Sequence, residues 1–404
     1  MKPQLFISPF HSISRRRFLK MLGTAGIAGL IAACQPGRVT PAPSATQTST
    51  LLPPSPIAPL IPSATAVPFT PTPAAPTSSP TPAWKALVAT GKVASYEARP
   101  LKEALAHMLD GLGGLGSLVK SGARVGIKAN LTGGTWWDTP DKPPATEFFV
   151  THPAVVGALG ELLKDAGASH ITIMDGLGDE TSFNKWGYSA IARPLGAILV
   201  NLCNPDPYPA FIRFPVGPQA RIYQEFYLNR VLSELDVFIS VAKMKCHSTT
   251  GVTLALKNLI GLAAISEYRL SKADNNRSAF HGDVKFDRRL PRVVIDLNLA
   301  RPVHLAVIDG IFTAEAGAGP WDAGLSQVKP GLLVASRDPV AADAVAAHLM
   351  GFDPAAPSSQ FPFVHGENHL ALAAESGLGT LDLKQTGISG PPLAEISYKF
   401  KPAL

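Results

Sequence analysis

Apolar and polar positions alternate along residues 84–404 in a pattern that predicts strands and helices in turn. Short apolar runs predict buried strands at Arg124–Ala129, Ile171–Met174, Ala197–Leu202, Asp236–Ala242, Val303–Ile308 and Leu332–Ala335. Helical spacing of apolar residues predicts helices at His152–Ala166, Arg289–Ala300, Asp338–Met350 and Glu367–Glu375. This alternation predicts an α/β fold: a mostly parallel, Rossmann-like doubly wound sheet with helices on both faces. Alternating aromatic and polar residues from Phe211 to Leu228 predict an inserted antiparallel hairpin.

A basic stretch follows the strand predicted at Asp236–Ala242, with Lys243, Lys245 and His247 at alternate positions. The next segment, Thr250–Leu262, is almost wholly apolar and is predicted as a helix with hydroxyl residues at its N-cap. On such a helix Thr250 and Lys257 share one face, and the helix start favours an anion.

The same stretch has a purely structural interpretation. A strand followed by a capped, buried helix is common in α/β proteins, and a lysine on that helix can pair with a carboxylate or extend toward solvent. A lysine among apolar residues is costly unless it is paired or neutral, which favours a site.

In open parallel sheets, ligands bind beyond the carboxyl ends of the strands. The residues that we expect there to bind a ligand are Lys128, Asn130, Lys243, Lys245, Thr250 and Asn258. Lys257 and His247 are the candidate catalytic residues, because a lysine with a lowered pKa can act as a base or as a carbonyl nucleophile. Asp309 and Glu315 follow a later strand, and we expect them to pair with Lys257 or to bind a divalent metal.

Asp338 also follows a predicted strand. Because Pro339 comes next, Asp338 is predicted mainly as a helix N-cap.

The chain begins with features of an exported protein. Ser14–Lys20 (SRRRFLK) precedes a short apolar run, Met21–Ala33, and resembles a twin-arginine export signal. Ile31–Cys34 resembles a lipobox, which implies that the signal is removed and that Cys34 carries lipid. The resemblance implies export by the twin-arginine machinery and a lipid anchor on the outer face of the cytoplasmic membrane or elsewhere in the cell envelope.

Residues 34–83 are dominated by Pro, Ser, Thr and Ala, and this composition predicts a disordered tether. Fully extended as polyproline, such a tether reaches on the order of 100 Å. The remaining residues, 84–404, are enough for one large folded domain.

Charge and cysteine content narrow the function. Of the formal charge of +6, five units precede Cys34, so the rest of the chain gives no electrostatic case for nucleic acid binding. Cys203 and Cys246 are the cysteines of the predicted folded part, too few for a four-cysteine iron–sulfur cluster. Whether they form a disulfide stays open, as does a bound divalent metal; no cofactor is identified.

Several separated segments resemble the domain-of-unknown-function 362 family. They are GIKANL, HPAVVGALGELLKDAGASHITIMDG, AKMKCHSTTGVTLALKNLIGL, VIDGIFTAEAGAGP and SRDPVAADAVAAHLMGFDP, in that order between residues 125 and 354. The family has no assigned activity. Many members add a cysteine-rich ferredoxin-like segment, which this chain lacks. A fainter likeness relates GVTLALKNLIGL to nickel-pincer lactate racemases, and it implies attachment of their cofactor to Lys257.

The sequence therefore predicts an exported, lipid-anchored protein that binds a small anionic or carboxylate ligand, with or without catalysis. The alternative is a non-catalytic solute-binding or scaffolding lipoprotein of the cell envelope.

Overall fold

The computed structural model describes residues 84–282 and 289–404. The signal peptide predicted for residues 1–33, Cys34 and the predicted tether lie outside these residues. Among the described helices, none has both the length and the apolar character required to span a bilayer.

Strands occur along the whole length of the described residues. In chain order they are β1 (Ala86–Lys92), β2 (Arg124–Lys128), β3 (His170–Asp175), β4 (Ile198–Asn201), β5 (Ile212–Pro215), β6 (Glu225–Leu228), β7 (Val237–His247), β8 (Gly251–Thr253), β9 (Leu305–Glu315), β10 (Ser326–Val328), β11 (Leu332–Ser336) and β12 (Thr386–Ser389).

The α-helices of the described residues lie between these strands. They are α1 (Ala98–Gly111), α2 (Pro153–Asp165), α3 (Ser182–Lys185), α4 (Tyr188–Leu195), α5 (Ser278–His281), α6 (Arg289–Ala300), α7 (Pro339–Leu349), α8 (His369–Glu375) and α9 (Leu393–Ile396). Short 3-10 helices occur at Thr135–Trp137, Ala145–Glu147, Arg230–Glu234, Lys257–Leu262 and Leu383–Gln385.

One large sheet organises the described residues, in the order β12-β1-β11-β9-β7-β2-β3-β4. The pairs from β9 through β7, β2 and β3 to β4 are parallel. β11 is antiparallel to both of its neighbours, β9 and β1. The short strands β8 and β10 pair with β7 and β9, and β5 with β6 forms a separate antiparallel hairpin. The predicted α/β fold, mostly parallel sheet and inserted hairpin are confirmed.

The core lies on both faces of this sheet because successive strand residues point to opposite sides. On β9, Val307 belongs to the apolar cluster that includes α1 and α2. Its neighbours Ala306 and Ile308 belong to the cluster on the other face, which includes α7. The strands are therefore buried on both sides, as the continuous apolar runs predicted.

The prediction of a helix at Thr250–Leu262 is wrong. β7 continues to His247, and the chain then turns back into β8, with His247 opposite Gly251. Gly251 has a φ of 73°, a left-handed conformation that glycine adopts without strain. Helical backbone begins at Lys257 and is a short 3-10 helix. A segment in which almost every residue is apolar shows neither the helical nor the strand period of hydrophobic positions. The sequence pattern therefore did not reveal that part of this segment is a strand.

Asp343 of α7 holds the segment between β8 and the 3-10 helix. This buried carboxylate accepts hydrogen bonds from the backbone nitrogens of Ala255, at 2.7 Å, and Leu256, at 2.9 Å. The sequence predicts α7 itself well, because Asp338 caps it by accepting from the Ala341 nitrogen. Since β11 is antiparallel to β9, Asp338 lies at the edge of the sheet opposite to the carboxyl ends of the parallel strands.

We expect Asp343→Ala to lower the free energy of unfolding by about 2–4 kcal/mol, because it leaves two buried N–H groups without acceptors. Urea denaturation measures this change, and Asp110→Ala on the exposed side of α1 is the control. Equal stability of the two variants would contradict the role assigned to Asp343.

Candidate functional site

A cavity of about 500 Å³ opens where β2, β3 and β7 end. Its lining includes Lys128 from β2, Asp175 from β3, and Lys245 and His247 from β7. Lys257 and Asn258 border it from the 3-10 helix. The volume falls within the range of small-molecule sites, about 300–1,000 Å³. The cavity therefore lies at the carboxyl ends of these parallel strands.

Lys128 is a buried lysine whose ammonium group already has its partners. Its Nζ lies 2.6 Å from Asp175 Oδ1 and donates to the Ala129 carbonyl at 2.6 Å and to Asn258 Oδ1 at 3.2 Å. Burial lowers the pKa of Lys128, and the Asp175 carboxylate opposes that shift. Lys128 therefore has no proton left to offer a ligand.

Lys245 is 2% exposed and joins three separate segments. Its Nζ donates to Thr132 Oγ1 at 3.0 Å, to the Phe149 carbonyl at 2.8 Å and to the Ala318 carbonyl at 2.7 Å. Burial, with the charges of Lys257 and Lys243, lowers the pKa of Lys245 well below its ordinary value. Lys245 thus positions the loops around the cavity.

Lys257 differs from these two lysines. It is half-buried and borders the cavity, yet among the described residues its Nζ has neither a hydrogen bond nor an ion pair. Burial lowers the pKa of Lys257 to about 7, and the nearby Arg277 guanidinium contributes in the same direction. An anion in the cavity would supply the missing partner.

The position of Lys257 is fixed by the residues beside it in the chain. The Asn258 side chain donates to the Lys128 carbonyl at 3.1 Å and to Ser240 Oγ at 3.0 Å. Gly261 packs so closely on Lys128 and Asp175 that a Cβ there would lie 2.2 Å from Asp175 Oδ1. The 3-10 helix that begins with Lys257 is therefore held against the ends of β2 and β3.

His247 presents a hydrogen-bond donor. Its Nδ1 accepts from the backbone nitrogens of Thr249, at 3.1 Å, and Thr250, at 3.3 Å. Burial and then the charge of Lys257 lower its pKa well below the ordinary value, so the ring is neutral. A neutral ring that accepts at Nδ1 carries its proton on Nε2 and has no free lone pair for a metal.

The donor set does not fit a metal centre such as that of the nickel-pincer enzymes. His247 has no free lone pair for a metal in its present tautomer. In addition, the described residues contain no group of three or more His, Cys, Asp or Glu side chains arranged to hold a metal ion.

Three tryptophans line the mouth of the cavity. Trp136 and Trp137 follow β2, Trp321 follows β9, and the rings of Trp137 and Trp321 meet with centroids 4.6 Å apart. Trp136 lies against Gly178, where an added Cβ would meet its ring at 1.8 Å. Trp136 and Trp321 are exposed, and they give the mouth flat apolar surfaces beside the charged interior.

Four predicted site residues lie outside the cavity lining. Lys243 pairs with Asp309 at 2.8 Å, and both side chains are fully buried. Glu315 contacts the Lys401 ammonium at 3.2 Å. Thr250 is buried and donates to the Val252 carbonyl, because its segment is a turn and strand instead of a helix. The expected pairing of Lys257 with Asp309 or Glu315 is therefore not found.

Sequence reasoning missed several residues that border the cavity. The tryptophans could have been identified from the sequence, since they occur in two Gly-rich segments, LTGGTWW and GAGPW, that follow predicted strands. Arg277 carried no such signal: it lies in a polar loop, and it reaches the site through bonds to the Ala263 and Gly176 carbonyls. Cys203 and Cys246 are both free thiols.

The chain is similar to known proteins in sequence and in structure. A family model described as "Domain of unknown function (DUF362)" matches residues 125–348, more than half of the chain. The chain is similar to the thylakoid-associated protein sll1697 of Synechocystis: 28% identity over 262 residues, which is 65% of this chain and 73% of the relative. It is also similar to the crystal structure of a Thermotoga maritima protein, with a TM-score of 0.30 and 15% identity over 55% of this chain. That match spans about half of the Thermotoga chain, 52%.

We expect Asp175→Ala to lower the free energy of unfolding by about 3–5 kcal/mol, because it leaves the Lys128 charge buried without a counterion. The double variant Lys128→Met with Asp175→Ala should recover part of that loss, since no unpaired charge then remains. Urea denaturation of both variants measures the difference. A double variant no more stable than the single one would show that the ion pair is not the reason for the loss.

Proposed function

The chain belongs to the family of the domain of unknown function DUF362, and on that premise we propose that it binds a small organic anion in the cavity at the carboxyl ends of β2, β3 and β7. The observation that carries the proposal is that the ammonium group of Lys257 has no partner among the described residues. Every other lysine of the predicted site, Lys128, Lys243 and Lys245, has its protons donated within the protein.

Charge balance supports an anionic ligand. Among the described residues, Asp175 is the one carboxylate in the cavity lining, and it is already engaged by Lys128 and by the backbone nitrogens of Leu131 and Gly176. Lys257 and Arg277 border the same cavity. A carboxylate or phosphate bound between them would offset their charges, and the N–H at Nε2 of His247 would add a neutral donor.

The size of the cavity and the aromatic side chains at its mouth favour an organic ligand over a bare inorganic ion. The cavity is several times larger than a phosphate ion requires, and aromatic side chains with exposed faces suit a ring or hydrocarbon portion of a ligand. The charged interior and the tryptophans together favour a molecule with one anionic end and one less polar end.

The chemistry of this site is compatible with two functional classes, a solute-binding protein and an enzyme. Lys257 favours the enzyme. A lysine with a purely structural or scaffolding role would have its charge balanced by a fixed carboxylate, and Lys257 has no such partner among the described residues. A pKa of about 7 lets Lys257 act as either a base or a nucleophile near neutral pH.

We also propose that Cys34 attaches the protein to a membrane of the cell envelope after export through the twin-arginine pathway. The lipobox-like sequence before Cys34 supports this, and the similar Synechocystis protein is named as thylakoid-associated. The Pro-rich segment that follows gives the folded part a tether.

We expect Lys257→Met to weaken the binding of small carboxylates and phosphates roughly ten- to hundredfold, the equivalent of a charge-assisted hydrogen bond of about 1.5–3 kcal/mol. The measurement is the titration of the full chain with phosphate, glycolate and phenyl phosphate, followed by tryptophan emission. Lys120→Met is the control, since Lys120 precedes β2 and lies at the amino end of the sheet.

The affinity of the wild-type protein should also fall as the pH rises above about 7, because Lys257 loses its proton there. Linkage sets a limit of about tenfold per pH unit for one proton. Equal affinities of the Lys257→Met and wild-type proteins would remove the lysine from the proposal.

We expect Cys34→Ser to move the protein from the membrane fraction to the soluble fraction, because one cysteine carries the whole lipid anchor. Cell fractionation followed by immunoblotting measures this, with Cys203→Ser as the matched control. A Cys34→Ser protein that sediments with membranes as the wild type does would refute the anchor.

A further inference from the structure

Lys257 has the features of a reactive amine as well as those of a binding residue. We infer that Lys257 forms an imine with the carbonyl carbon of its ligand, so that the anion bound in this cavity also carries an aldehyde or ketone. This inference rests on the proposed anion site and adds to it the chemical class of the substrate.

The first support is that Lys257 has, within the part of the chain that the structure describes, no acceptor that would hold its proton. The three Nζ protons of Lys128 are directed to Asp175, Ala129 and Asn258. Those of Lys245 are likewise directed to three oxygen atoms. Among the described lysines at the cavity, Lys257 is thus the one whose nitrogen can turn a lone pair toward a ligand.

The second support is the surroundings of Lys257. An amine becomes nucleophilic near neutral pH when it is desolvated or lies beside another cation. Lys257 meets both conditions, since it is half-buried and its pKa is lowered to about 7 by burial and by Arg277. Among the described residues, no carboxylate raises that pKa.

The third support is that the amine is held in place. Lys257 begins a 3-10 helix, and the residues on either side of it are bonded: the Leu256 nitrogen to Asp343, and the Asn258 side chain to Ser240 and the end of β2. A nucleophile whose backbone is fixed by such contacts can meet a bound carbonyl in a defined geometry.

The reaction needs no oxidant, reductant or metal. The ammonium group first releases one proton to water. The neutral Nζ adds to the carbonyl carbon, a proton passes from the nitrogen to the oxygen, and the resulting carbinolamine takes one proton back from water as it loses a water molecule to give an iminium ion. One C–N double bond replaces one C–O double bond, and one water molecule leaves. His247, which lines the same cavity, has an N–H at Nε2 that can donate to the carbonyl oxygen. The iminium keeps a positive charge beside the anionic end of the ligand.

Reductive trapping tests the inference. The full chain is incubated with glyoxylate and sodium cyanoborohydride, and peptide mass spectrometry measures carboxymethylation at every lysine. We expect Lys257 to react roughly tenfold or more faster than exposed Lys120 at pH 7, because a larger fraction of a lysine with a lowered pKa is neutral there. The rate at Lys257 should level off above pH about 7, whereas an ordinary exposed lysine gains reactivity up to a pKa near 10.4.

Glycolate is the matched ligand control, because it has the same carboxylate with a hydroxyl group in place of the aldehyde. It should slow the reaction at Lys257 by competition and leave no adduct of its own. Lys257→Arg keeps the charge and should abolish the fast reaction without changing modification at Lys120. Because the wild-type site distribution is itself a readout, the test does not depend on the folding of that variant.

The outcomes separate this inference from the proposed function. If glycolate binds but Lys257 reacts no faster than Lys120, the imine is refuted and the anion site stands. If neither glycolate nor glyoxylate perturbs the tryptophan emission or protects Lys257, both the anion site and the imine are refuted.

Discussion

The structure depends on how it accommodates ammonium groups at the buried ends of its parallel strands. A charged lysine removed from water is stable only if acceptors surround its protons. Lys243 and Asp309 meet this condition across the sheet, because they are direct partners in the parallel register of β7 and β9. Lys128 and Asp175 meet it between β2 and β3. These pairs hold together the strand ends on which the cavity is built.

Asp309 illustrates how far this accommodation extends. Besides Lys243, it accepts from the Tyr96 hydroxyl at 2.9 Å and from the His152 backbone nitrogen at 3.0 Å. The same carboxylate therefore joins two central strands to Tyr96, two residues before α1, and to the start of α2. A carboxylate with so many donors is part of the framework of the protein.

Lys245 connects this framework to the shape of the site. It joins Thr132 and Ala318, which lie in the two loops that carry the tryptophans of the mouth. In these loops Thr132 and Ala316 adopt positive φ values, 52° and 61°, which cost energy for residues other than glycine. Such strain persists where the surrounding contacts outweigh it, and here a buried lysine supplies them. The described cavity residues, from Lys128 to Trp321, all lie within the segment that matches the family.

The sequence by itself determined the α/β class, the hairpin, the cap of α7 and the edge of the sheet where Lys128, His247 and Lys257 gather, because hydrophobic period and strand ends are local properties. Only the tertiary structure decided which lysine at the cavity has no partner among the described residues. Partners such as Asp175 for Lys128, Ala318 for Lys245 and Lys401 for Glu315 are far apart in the chain, and no local pattern pairs them. The tertiary structure also decided that Gly251–Thr253 is a strand. An almost wholly apolar segment takes the conformation in which its neighbours, here β7 and Asp343, can form hydrogen bonds with it.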